Sequence, residues 1–309
     1  WGYDFVVEGL KKGIFKESEG AVVYRGEKHG LHTRVFINKL GLPTYETKDI
    51  GNAPCKYSEF EYDKSLIVTA NEINEYFKVV IAAMKEVNPK LGGKTIHLGH
   101  GIVRLPQGKM SSRTGRIFTF EELFEAVKSK IERVLKDFDI EEKEHMLNVV
   151  AVGAIKFAML KHQPSIDTIF DLDRSVALRG DSGPYIQYTY ARAKSILRKV
   201  TEVTSPFEDS VEEKESGELP LLSKEERQIL QKIEYFEGVI AEAVQSMHPN
   251  LIAGYLLDLA SDFNLFYQKY RIIDAGDNKK QFRLALTNAV SIILKQGLYL
   301  LGIETVERM

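Results

Sequence analysis

Residues 97–115 read HLGHGIVRLPQGKMSSRTG, and two short motifs compete within them. His97-Leu98-Gly99-His100 has the histidines and glycine of a nucleotide-binding helix start, whereas Lys109-Met110-Ser111-Ser112 has the lysine and hydroxyls of a phosphate-gripping loop. A helix that binds phosphate must begin just after a strand, with its free backbone N–H groups aimed at the anion. After His100 the chain continues Gly-Ile-Val-Arg-Leu-Pro, β-branched and closed by proline, which is strand chemistry. The stretch 95–105 therefore predicts a strand through both histidines, with glycines that admit close backbone approach. Pro106-Gln107-Gly108 turns the chain out, and Lys109, Ser111, Ser112 and Arg113 come next in a loop at the strand's carboxyl end. Ligands of α/β folds bind at that end. Two cations there suit a triphosphate, because they stabilise charge developing on phosphate oxygens as pyrophosphate leaves. A solvated basic loop is the plain alternative, since four-letter motifs recur by chance.

The chain differs on the two sides of this loop. Before it, strand and helix alternate. Residues 20–24 (GAVVY) and 33–38 (TRVFIN) form a hairpin across GEKHGLH. Residues 64–69 (KSLIVT) are an apolar run of the kind buried on both faces of a parallel sheet. Positions 77, 80, 81, 84 and 87 are apolar, which makes 74–87 a helix with one core-facing side. After the loop the pattern is helical throughout, with helices predicted over 120–136, 143–161, 184–203, 223–246, 250–270 and 278–300. Ser223 with Glu226 makes a capping box, Asp277 precedes the last helix, and Gly302 closes it. Residues 205–220 hold six carboxylates and one lysine, a solvated linker. The fold class is α/β followed by all-α, with no internal repeat.

Composition narrows the function. A length of 309 residues favours two domains, and 44% apolar with 28% charged residues is an ordinary globular balance. No apolar run approaches the ~18 residues that span a bilayer, and the N-terminal WGYDFVVEGLKKG is no signal peptide. The single cysteine, Cys55, excludes an internal disulfide or a cysteine-based zinc cluster, and the seven histidines are scattered, so no metal site is expected. These features favour the cytoplasm and no membrane partner. The net charge is −2, and residues 181–309 hold 15 Lys and Arg against 19 Asp and Glu, so any RNA contact there needs a local basic patch. A chain beginning at Trp1 reads as a piece of something longer.

Three further stretches carry a family resemblance. GLPTYETKDIG (41–51) resembles the segment in which arginyl-tRNA synthetases recognise arginine through a tyrosine and, four residues on, an aspartate. VALRGDSGPYIQYTYARAKSILRK (176–199) is similar to the start of that family's helical anticodon-binding domain, and RLALTNAVSIILKQGLYLLGIETVERM (283–309) to its C-terminus. With KMSSR as a variant of the KMSK loop, the resemblance to these class I synthetases covers nearly the whole chain. It implies the back half of a Rossmann-like nucleotide-binding domain (1–125), a helical junction (126–180) and a helical-bundle anticodon-binding domain of DALR type (181–309). The family's HIGH element, its first strand-to-helix turn, lies upstream of anything in these residues, so the N-terminal half of the synthetase is read as missing.

The resemblance also implies site residues. Lys109, Met110, Ser111 and Ser112 are the ATP-gripping loop; Ser112 stands where a second lysine is usual, so Lys109 and Arg113 supply the positive charge. Asp49 would pair with the substrate guanidinium, a planar fork meeting a carboxylate, and Tyr45 would flank it. The plain readings are a helix N-cap at Asp49 and a half-buried strand aromatic at Tyr45. In TANEINEYF (69–77), Asn71 and Glu72 are substrate-binding candidates, although Glu72 equally suits a first helical turn. Tyr185, Gln187, Tyr188 and Arg192, with Arg198 and Lys199, could meet splayed anticodon bases and phosphates, and Met309 matches the family's terminal methionine. The tyrosines could instead be core residues with satisfied hydroxyls.

The implied partners are arginine, ATP with its Mg2+, and tRNA(Arg), and the implied activity is arginine–tRNA ligation. The chain alone is expected not to activate arginine. A non-catalytic RNA-binding module is one rival; another is a class I enzyme for cysteine, against which the lone Cys55 argues.

Overall fold

The computed structural model describes residues 1–104, 119–135, 143–203 and 221–309. These separate into two compact units, residues Trp1–Ile102 with Pro164–Asp167, and residues Val103–Gln163 with Thr168–Met309. The boundaries expected at 125 and 180 both fall inside the second unit. Lys109, Met110, Ser111, Ser112, Arg113 and the acidic linker 205–220 lie outside the described residues.

In the first unit the elements run α1 (Gly2–Lys11), β1 (Lys16–Ser18), β2 (Ala21–Tyr24), β3 (Arg34–Ile37), α2 (Tyr45–Glu59), β4 (Ser65–Ala70), α3 (Asn74–Val87), α4 (Pro89–Lys94) and β5 (Thr95–His100). The predicted hairpin forms as β2 and β3, antiparallel, and β1 adds a third strand. Phe15, Tyr24 and Phe36 fill the space behind it, with ring centroids 4.9 to 6.2 Å apart. Helices α1 and α2 cross at glycines, where no side chain could fit. A Cβ at Gly51 would lie 2.6 Å from the Gly2 nitrogen, and one at Gly2 would lie 2.1 Å from the Thr47 carbonyl.

Strands β4 and β5 pair in parallel, Ser65 with Thr95 through Ala70 with His100. Alternation puts Thr69 and His97 on the face that α3 covers, where Phe77 stacks on the His97 ring at 4.3 Å. The opposite face is not buried as expected: Leu66 is 52% and Val68 59% exposed. With two strands and one helix layer, only one face of this sheet has a cover among the described residues. The single strand expected over 95–105 is also divided. The Gly101 amide donates to the Pro164 carbonyl at 2.7 Å and the Ile102 amide to Asp167 at 2.8 Å. These contacts draw the backbone away from the β4 partner, so the ladder stops at His100.

The second unit contains β6 (Val103–Arg104) and β7 (Thr168–Ile169), paired in parallel, with α5 (Phe120–Val134), α6 (Lys143–Leu160), α7 (Leu172–Ser175), α8 (Gly183–Val203), α9 (Lys224–Ser246), α10 (Asn250–Lys269) and α11 (Asp277–Leu300). One core joins α5 and α6 through Val127, Ile131, Met146 and Val150. The other fills the bundle α8–α11 with Ile186, Leu256, Phe263 and Leu294. The Ser223–Glu226 capping box forms in both directions. Asp277 does not precede the last helix but is its first residue, because the backbone bends into the helix at Gly276. Gly302 takes the left-handed φ of 68° just beyond that helix, and the Ile303 amide reaches back to the Leu298 carbonyl at 2.9 Å.

Candidate functional site

In the first unit the predicted carboxylate sits on α2. That helix begins at Tyr45, with Thr44 as its cap residue, so Asp49 lies past the first turn and is not the N-cap. The Thr44 hydroxyl and amide both reach the Phe36 carbonyl, at 3.1 and 3.0 Å, and Thr47 donates to the same oxygen. These bonds pin the start of α2 to β3. Tyr45 is likewise not a half-buried strand residue: it is helical and 76% exposed. Tyr45 and Asp49, four apart, share one helical face.

The surroundings of Asp49 had no signature in the local sequence. Tyr76, on α3, donates its hydroxyl to Asp49 Oδ2. Burial first, then this bond and the Asp49 charge, push the Tyr76 hydroxyl far above its usual range, so it stays a donor at any working pH. The Arg34 guanidinium lies 5.0 Å from the centre of the Tyr76 ring and is paired with Glu46 at 3.1 Å. The chain's own arginine is thus taken by Glu46, and Asp49 is held by a neutral donor. A half-buried carboxylate oriented this way can pair with an incoming guanidinium or ammonium.

Asn71 and Glu72 occupy a tight turn after β4. Asn71 donates to the Ser165 carbonyl at 2.8 Å and lines a cavity of about 660 Å³ with Asn74, Lys78 and His97; Asp49 is not among its walls. Glu72 is exposed. His97 accepts or donates at 2.7 Å with Thr69, and burial lowers its pKa, which favours the neutral ring. His97 and His100 lie on a strand and begin no helix, as the β-branched residues after them predict.

In the second unit Tyr188, Arg192, Arg198, Lys199, Tyr267 and Met309 line a cavity of about 800 Å³. Arg192 lies between two rings, 4.7 Å from the centre of Tyr188 and 5.2 Å from that of Tyr267. Asn264, on α10, accepts a hydrogen bond from Arg192. Arg198 donates to the Glu307 carbonyl at 3.1 Å, so its charge is not neutralised by that contact. Here is a local basic patch inside a bundle of net negative charge. Tyr185 stands behind it, its hydroxyl accepting from Asn264 at 3.1 Å. Gln187 is fully buried and donates to the Glu304 carbonyl, so it faces the core. Tyr267 and Asn264 escaped the sequence reading. The only hint was a polar residue between Phe263 and Phe266, on a helix face otherwise apolar.

Residues 4–172 match the family model for tRNA synthetases class I (R), catalytic domain, and residues 186–309 match the DALR anticodon binding domain. An arginine–tRNA ligase of Clostridium acetobutylicum is 33% identical over 310 residues, covering 99% of this chain and 54% of the relative. One from Porphyromonas gingivalis is 32% identical, covering 100% and 52%. The chain spans about half the length of the curated relatives it matches. Among solved structures, Thermus thermophilus arginyl-tRNA synthetase superposes with a TM-score of 0.84 at 25% identity, covering 100% of this chain and 58% of that one. The Plasmodium falciparum enzyme shares the fold, with a TM-score of 0.81 at 22% identity, over 99% of this chain and 52% of its own.

Proposed function

The chain belongs to the class I arginyl-tRNA synthetase family, and on that premise we propose that it is the share of such an enzyme carrying the KMSS loop, part of the arginine site and the anticodon-binding domain. In this reading residues 1–125 belong to the catalytic domain, 126–180 join it to the helical bundle, and 181–309 bind the anticodon. The complete enzyme works in the cytoplasm and joins arginine to tRNA(Arg) in two steps. An arginine carboxylate oxygen attacks the α-phosphorus of ATP, and pyrophosphate leaves with the electrons of the broken bond. The terminal ribose hydroxyl of the tRNA then attacks the carbonyl carbon of the adenylate, and AMP departs. No covalent enzyme intermediate is needed, so positioning and charge stabilisation supply the catalysis.

Asp49 takes the substrate guanidinium and Tyr45 flanks it, which the Tyr76 hydrogen bond and the shared helical face support. Asn71 and Glu72 contribute polar groups beyond the carboxyl end of β4. Lys109, Ser111, Ser112 and Arg113, with Met110, close on the triphosphate; their assignment rests on sequence alone. Among the described residues no three His, Cys, Asp or Glu side chains gather into a metal-binding group, and no helix is long and apolar enough to cross a membrane. Mg2+ comes with the nucleotide in this reading. In this reading the strand-to-helix HIGH element lies outside these residues, so alone they should not activate arginine, and tRNA-dependent pyrophosphate exchange by the chain would contradict this.

The observation that carries the RNA half is the Arg192 guanidinium between Tyr188 and Tyr267 at the wall of a wide cavity. Flat π-faces beside cations suit unstacked bases, each worth about 1–3 kcal/mol. Arg192, Tyr188 and Met309 meet the anticodon directly, and Tyr185 acts from behind them. The test is filter binding of the chain to a tRNA(Arg) transcript and to the same transcript with its anticodon loop replaced by a tetraloop. The intact transcript should bind roughly 10-fold tighter or better. Equal binding of the two would overturn the reading.

A further inference from the structure

Arg192 has no fixed place by its own chemistry. A guanidinium on a flexible stem beside two tyrosines can stack in several ways, and only one of them leaves a defined surface. The structure supplies what selects it. Asn264 is 7% exposed and lies in the bundle core between α8 and α10. Its Oδ1 accepts from Arg192 Nη1, and its Nδ2 donates to Thr189 Oγ1 at 2.8 Å and to the Tyr185 hydroxyl at 3.1 Å. Arginine has donors and no acceptor, so the amide oxygen must face it, and the NH2 must face the two hydroxyls. The orientation of this side chain therefore follows from its partners.

Resting on the anticodon-binding reading, we propose that Asn264 is a positioning residue for RNA recognition: it locks the Arg192 guanidinium between the Tyr188 and Tyr267 rings, so that the cation meets an RNA base in a pre-set plane. Asn264 does not line the cavity, whereas Arg192, Tyr188 and Tyr267 do. It acts through Arg192. Holding the fork before RNA arrives removes an ordering cost from binding, the general benefit of pre-organisation. Tyr185 and Thr189 extend the lock into α8, since Thr189 also donates to the Tyr185 carbonyl at 2.8 Å.

The test uses the whole chain, a tRNA(Arg) transcript, and the variants N264L, N264D, R192A and R192A/N264L. Circular dichroism monitors folding throughout. N264L removes the acceptor at similar volume and should weaken binding about 3- to 10-fold, the cost of ordering one long side chain on binding. N264D keeps an acceptor for Arg192 and a second oxygen to which the Tyr185 hydroxyl can turn, with Thr189 giving up its bond to the Tyr185 carbonyl to do the same, and should bind within about 2-fold of the original. Because Asn264 acts through Arg192, R192A/N264L should bind no more weakly than R192A alone. Should N264L unfold, N264A, which leaves room for water beside Thr189, is read the same way.

A second readout needs no RNA. With selectively 15N-labelled arginine, the Arg192 Nε–H proton should resonate upfield in the original chain, shielded by both rings, and return to an unshifted position in N264L. Binding by N264L equal to the original, or N264L and R192A losses that multiply in the double variant, would overturn the proposal. An Arg192 signal unmoved by N264L would do the same. Failure of the unaltered chain to bind the transcript would instead overturn the anticodon reading, with the Arg192 signal still reporting whether Asn264 holds the guanidinium.

Discussion

Tyr76 on α3 donates its hydroxyl to Oδ2 of Asp49 on α2, 27 residues earlier in the chain. That bond ties the two helices together at the carboxylate that the family resemblance pairs with the arginine guanidinium. It leaves Oδ1 and the other lone pair of Oδ2 for a second partner.

Replacing Tyr76 with Phe should therefore loosen Asp49 without removing its charge. In the full-length enzyme of this family, Y76F should raise KM for arginine by roughly 10-fold and leave kcat within about 2-fold, the loss of one charge-assisted hydrogen bond. Arginine-dependent pyrophosphate exchange in the presence of tRNA measures both. An unchanged KM would mean that Asp49 needs no such support.

Acid should attack the second unit through Glu225. Lys269 first, then the residue's own backbone N–H and the Tyr270 hydroxyl, hold this carboxyl at about 2 against an ordinary 4.5. A depressed carboxylate contributes stability that is fully present above its unfolded value and lost as pH falls toward its folded one. The chain should lose that contribution between pH 4.5 and about 2. In E225Q the melting temperature should fall less steeply over this window, as followed by circular dichroism; parallel curves would contradict it.

The glycine crossing of α1 and α2 makes a steric prediction. A Cβ at position 51 would meet backbone atoms of Gly2 at 2.6 and 2.8 Å, which cannot rotate away. Gly51→Ala should cost about 1–3 kcal/mol, the range for overpacking. Urea denaturation of the chain checks this, and a neutral result would mean the α1 end lies free of α2.

The legible parts of the fold were those with local signals. The α9 helix announces itself by the Ser223–Glu226 box, and the strand through His97 by the β-branched residues after it. Helices α1 and α2 carry weaker signals. Gly51 and Pro54 blur the helical pattern of α2, which nevertheless runs unbroken, and its start is set by Thr44 bonding to β3 rather than by a side-chain cap. The plain alternatives, Asp49 as a cap and Tyr45 as a strand residue, fail because the helix starts four residues before Asp49. The partners Tyr76 for Asp49 and Asn264 for Arg192 were beyond sequence reasoning for another reason. They lie 27 and 72 residues away, on helices whose relative packing no local pattern states. Residues could be nominated from motifs, but the atoms that orient them could not.

The loop proposed to grip the triphosphate offers a prediction from sequence alone. In the full-length enzyme, K109A should lower the rate of arginine activation far more than it weakens arginine binding, because its charge is needed as pyrophosphate leaves. Single-turnover kinetics with separately measured arginine affinity decides it. A rate within about 2-fold of the original would remove Lys109 from the mechanism.

The most direct measurement is arginine dependence in a full-length enzyme carrying Asp49→Asn. The substitution keeps the shape and an oxygen for Tyr76 while removing the charge proposed to face the substrate guanidinium. KM for arginine should rise on the order of 100-fold or more, as for breaking a desolvated ion pair, with KM for ATP little changed. An arginine KM equal to that of the original enzyme would contradict the assignment of Asp49, and with it the account of how this chain selects arginine.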